Sequence, residues 1–192
     1  IKAFSIIGNL PVNEAVATFD NNTGTLTLIN VVIRNEGAGD GLVVTSHSGN
    51  IGLGMVDANN SGGDGLNLEV VSNSGFISLT WVDASDNGGR GAIIKNKASP
   101  VTITNSSFDD NGLKNLDIQS DGAVTVNGIS ASYSASGDGA EIKSKGLALN
   151  QAIFNGNAGY GLQVGDHDLG GVTTIQNSQF NDNGIAGLVV RQ

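Results

Sequence analysis

The sequence predicts an all-β, single-domain solenoid of stacked coils, and three observations carry that prediction. A Gly followed by Leu or Ala recurs about every 24 residues. Each recurrence opens a short segment in which apolar residues alternate, the period of a half-buried strand. The composition favours strands and tight turns. Gly occurs 29 times against 2 Pro, Asn, Ser and Thr are abundant, and no Ala/Leu/Glu/Lys run offers a helix.

The repeat markers are Gly41-Leu42, Gly65-Leu66, Gly91-Ala92, Asn115-Leu116, Gly139-Ala140, Gly161-Leu162 and Gly187-Leu188. Their spacings are 24, 26, 24, 24, 22 and 26 residues, so one unit of about 24 residues tolerates small insertions. The first strand of each unit follows the marker, as in Leu66-Asn67-Leu68 and Ala140-Glu141-Ile142. A second strand comes next, as in Leu26-Thr27-Leu28, Ile77-Ser78-Leu79, Val101-Thr102-Ile103 and Val124-Thr125-Val126. A third apolar point then falls at Ile33, Val56, Val82, Phe108, Tyr133, Phe154 and Phe180, followed by polar turns such as Asn181-Asp182-Asn183-Gly184.

Three short strands cannot bury their faces alone, whereas stacked units can. Coils ~4.8 Å apart would pair in parallel, and seven would make a rod about 34 Å long. The marker Gly is expected at the bend into the first strand, where positive φ or close backbone approach is needed.

This pattern resembles the right-handed parallel β-helix superfamily, the pectate-lyase-like solenoids, over roughly residues 20–192. The handedness comes from that resemblance. It also implies an asparagine ladder, for which the candidates are Asn30, Asn105, Asn127, Asn150 and Asn177, each just after a second strand. The coils of Leu53 and Leu79 lack such an Asn and would interrupt it. Residues 1–20, broken by Pro11, fit the repeat poorly and read as an irregular leading coil or partial cap before repeats over 21–192.

The net charge is −9, and the 9 Lys and Arg are scattered, which gives no basic track for nucleic acid. The absence of Cys excludes disulfides and thiolate chemistry. No apolar run approaches the ~20 residues of a membrane-spanning helix.

The resemblance implies lyase or hydrolase chemistry, but the residues assign no catalytic, cofactor-binding or metal-ligating set. There is no Gly-His-Gly, and Ile94-Lys95 and Ile142-Lys143 lack a preceding Arg. Asp109-Asp110 is the best local carboxylate pair. Stacking could add Asp57 and Asp83 to it as an acidic column able to hold Ca²⁺, against the plain reading of solvated Asp turns. His47 and His167 fall about five coils, or ~24 Å, apart and cannot share a site. Asp166 and Asp168 flank His167 in an exposed loop. Gly62-Gly63-Asp64-Gly65-Leu66-Asn67 is a single imperfect copy of a calcium nonapeptide. Trp81 reads as packing at the core edge, with sugar stacking as the alternative, and Phe108, Phe154 and Phe180 read as an internal stack.

The expectation is therefore a structural or adhesive extracellular or cell-surface module: a rigid spacer or filament subunit that self-associates or meets other surface proteins. A polysaccharide-binding or polysaccharide-degrading role is the alternative. It is favoured if folding places three or more carboxylates and an Arg or Lys in one lateral groove.

Overall fold

The computed structural model describes residues 2–97, 100–166 and 171–191. Among these the chain is all-β, with no helix, and forms a parallel solenoid of about seven coils. The first face stacks β2 (Ala15–Asp20), β4 (Asp40–His47), β6 (Leu66–Val70), β8 (Ala92–Asn96), the start of β10 (Leu116–Ser130), the start of β11 (Ala140–Ile153), β12 (Leu162–Asp166) and β14 (Leu188–Val190). Its register runs Leu42, Leu66, Ala92, Leu116, Ala140, Leu162, Leu188, so the residue after each marker lies beneath its equivalent. The second face stacks the start of β3 (Thr25–Asn35), β5 (Asn50–Asp57), β7 (Ile77–Thr80), β9 (Val101–Thr104), the later parts of β10 and β11, and β13 (Thr173–Gln176). The third face begins with β1 (Lys2–Gly8) on the end of β3. Further down it narrows mostly to single bridges, as from Asp57 to Asp83 to Ser107 to Ser130.

Inward side chains make one continuous core. Leu66, Leu68, Ile77, Leu79, Ile94 and Ile103 are fully buried. Each such side chain stabilises the fold by ~1.5–3 kcal/mol relative to exposure. The third apolar point needs two corrections. Backbone hydrogen bonds place Ala58, Ala84, Phe108, Ala131 and Phe154 in one column, while Val56 and Val82 lie two residues earlier on their coils. Tyr133, expected inside, is 58% exposed, because Ala131 occupies the inward position of its coil. The phenylalanine stack is partly realised. The Phe154 and Phe180 rings lie 5.4 Å apart and nearly parallel, whereas Phe108 sits in the same column between Ala84 and Ala131.

The asparagine ladder is also corrected. Asn30, Asn105 and Asn177 take left-handed φ at the bend from the second to the third face. Asn127 and Asn150 lie one residue before that bend. Among the described residues the amide chain there runs from Asn177 to Asn150 to Asn127, with bonds of 2.8 Å. The buried ladder lies elsewhere, in the turn before each marker, at Asn35, Ser61, Asn87, Asn111, Asn157 and Asn183. The Asn87 N–H and Nδ2 both donate to Asn111 Oδ1, at 2.9 and 3.1 Å. Asn157 bonds Asn183 in the same way, at 3.0 and 2.9 Å.

The markers are Gly because of close approach, not positive φ, which none of the marker glycines has. A Cβ on Gly91 would lie 2.5 Å from the Asn115 carbonyl oxygen and 2.7 Å from Asn111 Nδ2, and one on Gly139 2.5 Å from the Gly161 carbonyl oxygen and 2.6 Å from Asn157 Nδ2. Neighbouring backbone and the ladder asparagine together fill the space of a side chain. One coil inverts the pattern. There the marker is Asn115 and the turn residue is Ser134. The Asn115 amide takes the vacated place, accepting from Asn111 N–H and Nδ2 (3.1 and 2.9 Å) and donating to Asn157 Oδ1 (3.1 Å).

Candidate functional site

The outward side of the first face gathers charge that the sequence scatters. Asp117 and Glu141 are paired neighbours on β10 and β11. Arg90 and Lys114 end the turns leading into β8 and β10. Arg90 lies 3.8 Å from both Asp64 and Asp117, and Lys114 lies 3.5 Å from Asp117. Glu141 accepts hydrogen bonds from Lys114 and from Lys143, the latter at 2.7 Å. Two carboxylates, Asp117 and Glu141, and four cations, Arg90, Lys95, Lys114 and Lys143, line one shallow lateral groove of about 280 Å³ whose floor includes Ile93; Asp64 pairs with Arg90 outside this lining. No sequence signal gave this cluster. Its members come from four coils and meet only through the register.

The titration behaviour of the cluster argues against proton transfer. Burial pushes the Glu141 carboxyl up, but the hydrogen bonds from Lys114 and Lys143 outweigh it and hold the group at about 2. Burial pushes the Lys114 ammonium down, and its bond to Glu141 with the nearby Asp117 charge overcomes this and raises it. A pair locked as carboxylate and ammonium is a poor acid and a poor base near neutrality. Asp64 is raised, chiefly by burial, against the opposing backbone N–H of Arg90.

A pH dependence follows. Glu141 titrates at 4.5 ordinarily and near 2 in the fold. Its contribution is complete above about pH 4.5 and is lost as pH falls towards 2. Urea unfolding at pH 5 and pH 2.5 should therefore show a smaller acid loss in Glu141→Gln than in the parent chain. Equal losses in the two chains would remove Glu141 as the cause.

The expected acidic column is only partly assembled. Asp57 and Asp83 are stacked neighbours, but Ser107 comes next and Asp109 lies two residues on. Asp109 is a rung of a surface ladder instead. Asn59, Ser85, Asp109, Ser132 and Asn155 each accept, through a side-chain oxygen, the backbone N–H of the equivalent residue one coil on, at 2.7–3.0 Å. The Asp109 carboxylate also takes the hydroxyls of Ser107 and Ser130, at 2.8 and 2.7 Å. Asp110 points elsewhere from a left-handed turn residue, its carboxyl raised by burial and by the charges of Asp86 and Asp109. Among the described residues no group of three His, Asp or Glu is placed to hold a metal ion.

His47 is buried with Nε2 3.1 Å from the Asn50 carbonyl. His167 and Asp168 lie outside the described residues. Trp81 corrects the expectation of core-edge packing: it is 61% exposed. No described helix is long and apolar enough to cross a membrane. Comparison with protein-family models, with curated proteins and with solved structures gives no significant match.

Proposed function

We propose that the chain is a rigid structural module of a right-handed, pectate-lyase-like β-helix, working at the cell surface or outside the cell as a spacer, adhesive element or filament subunit. The observation that carries this reading is the continuous core of the stack, in which parallel coils bury inward columns from Ala17 to Val164 and make a frame stiff along its axis.

Sedimentation velocity across a concentration series, with negative-stain microscopy, tests this. Rods longer than one chain, growing with concentration, are expected. Monomers at every concentration would remove the filament role and leave the spacer role.

A second reading has one favouring observation. On one lateral face Arg90, Lys95, Lys114 and Lys143 gather around Asp117 and Glu141, which gives the groove cations for an anionic polysaccharide but two lining carboxylates rather than three. The locked Glu141 supports binding there rather than bond cleavage.

A further inference from the structure

A different face carries a feature that neither reading uses. At the bend from the second to the third face each coil has one left-handed residue. Down the stack these are Asn30, Met55, Trp81, Asn105, Gly128, Gln151 and Asn177, with φ between 50° and 66°. Asn and Gly adopt this conformation readily, whereas a bulky aromatic there is an outlier. Trp81 sits at φ 56° with its side chain 61% exposed. It therefore gains little burial in exchange for an unfavourable backbone. Met55, one coil above, is 55% exposed at φ 51°. Strain of this kind, held by a rigid frame and unrewarded by packing, points to function.

What lies beside Trp81 gives the strain a use. A shallow groove of about 510 Å³ runs from Trp81 past Asn105 and Gly128 to Gln151, over Ser107 and Ser130. It crosses three coil spacings, ~14 Å. Gly128 forms its floor. A Cβ there would lie 2.7 Å from Asn105 Oδ1, and any side chain would fill the gap between Trp81 and Gln151. The Asn105 and Gln151 amides have no protein partner among the described residues, so they keep donors and acceptors for a ligand. No Lys or Arg lines the groove, and Asp83 is its one charged residue. Asp83 is already engaged by Asn59 Nδ2 and Ser85 Oγ, at 3.0 and 2.7 Å.

We propose that this groove is a binding site for a neutral glycan, with Trp81 as the stacking platform. A sugar ring has an apolar C–H face and a rim of hydroxyls that both donate and accept. A flat indole beside the free Asn105 and Gln151 amides matches both properties, while the hydroxyls of Ser107 and Ser130 are already held by Asp109. The usual anatomy of a ligand site, an aromatic surface with a few placed polar groups, is present in a rigid frame. An anionic polymer finds no cation here and meets Asp83. The site is on another face from the Arg90–Glu141 cluster and does not depend on either reading above.

The test is affinity electrophoresis of the 192-residue chain in gels containing galactomannan, mixed-linkage β-glucan, arabinoxylan or dextran, with polygalacturonate as the anionic control. Two variants accompany it, Trp81→Asn and Gln151→Ala. Asn already occupies the Trp81 register at three other coils, so the first variant keeps the fold, as circular dichroism will verify. The expected result is retardation by at least one neutral glycan, quenched or shifted Trp81 fluorescence with it, and at least tenfold weaker binding in Trp81→Asn. Gln151→Ala is expected to weaken binding less. No retardation by any neutral glycan overturns the proposal, as does equal retardation of parent and Trp81→Asn. Retardation by polygalacturonate alone assigns glycan binding to the cationic groove and also overturns it. Trp81 fluorescence that responds to protein concentration and not to glycans makes the groove a contact between copies, again against the proposal.

Discussion

Asn115→Gly lowers stability by about 3 kcal/mol or more, and adding Ser134→Asn restores most of it. The single change strands Asn111 N–H and Nδ2 in the buried ladder, where each unmatched donor costs about 1–3 kcal/mol. It also removes the donor that Asn115 supplies to the Ser132 carbonyl, at 2.8 Å. Ser134→Asn alone places a second amide where the Asn115 side chain already lies, an overpacking worth about 1–3 kcal/mol. Together the two changes recreate the arrangement of the neighbouring coils, a Gly marker facing a ladder Asn, as at Gly91 with Asn111. The double-mutant cycle, read by urea unfolding, should give a coupling energy of at least ~2 kcal/mol. Additive single effects would show that Asn115 does not stand in for the missing ladder residue.

The second large effect is expected at Phe108. Phe108→Ala should cost ~3–5 kcal/mol, towards the upper end of that range. The ring is fully buried, and its column neighbours above and below are Ala84 and Ala131. Neither has a side chain able to swing into the hole. The parallel hydrogen bonds from Ala84 to Ser107 and from Phe108 to Ser130 also hold the coils apart. Phe180→Ala, in the last described coil, should cost clearly less, because that ring is only partly buried. Urea unfolding of both variants, with amide exchange to locate the loss, checks the ranking. A Phe180 effect equal to that of Phe108 would mean that the last coil is covered in solution, as the stacking proposal expects at high concentration. The comparison is therefore made at low concentration as well.

Much of the fold was legible in the chain. Period-two alternation after each marker defined the first and second faces. It did so because a strand has only two sides and one must be apolar, as in Leu66-Asn67-Leu68. The third face was less legible. Its strand is reduced to bridges such as Asp83 to Ser107, too short to show alternation. Val82 and Ala84 both point inward there, and counting one apolar point per coil placed Tyr133 in the core when Ala131 belonged there. The buried ladder had a signal in the sequence, an Asn four residues before the marker Gly, as at Asn87 with Gly91, Asn157 with Gly161 and Asn183 with Gly187. Exposed Asn residues after the second strands obscured it.

By itself the sequence determined the all-β class, the coil length, the inward residues of two faces and the absence of thiol chemistry. These are properties of one coil, fixed by local pattern and composition. The tertiary structure alone decided which residues meet between coils. It brought Asp64, Arg90, Lys114, Asp117, Glu141 and Lys143 onto one face, it separated Asp109 from Asp83, and it turned Trp81 outward over a groove with Gly128 at its floor. The physical reason is register. Neighbours in a stack are about 24 residues apart, and an insertion of one or two residues in a turn moves a side chain to a new column or the opposite face without altering the pattern within either coil.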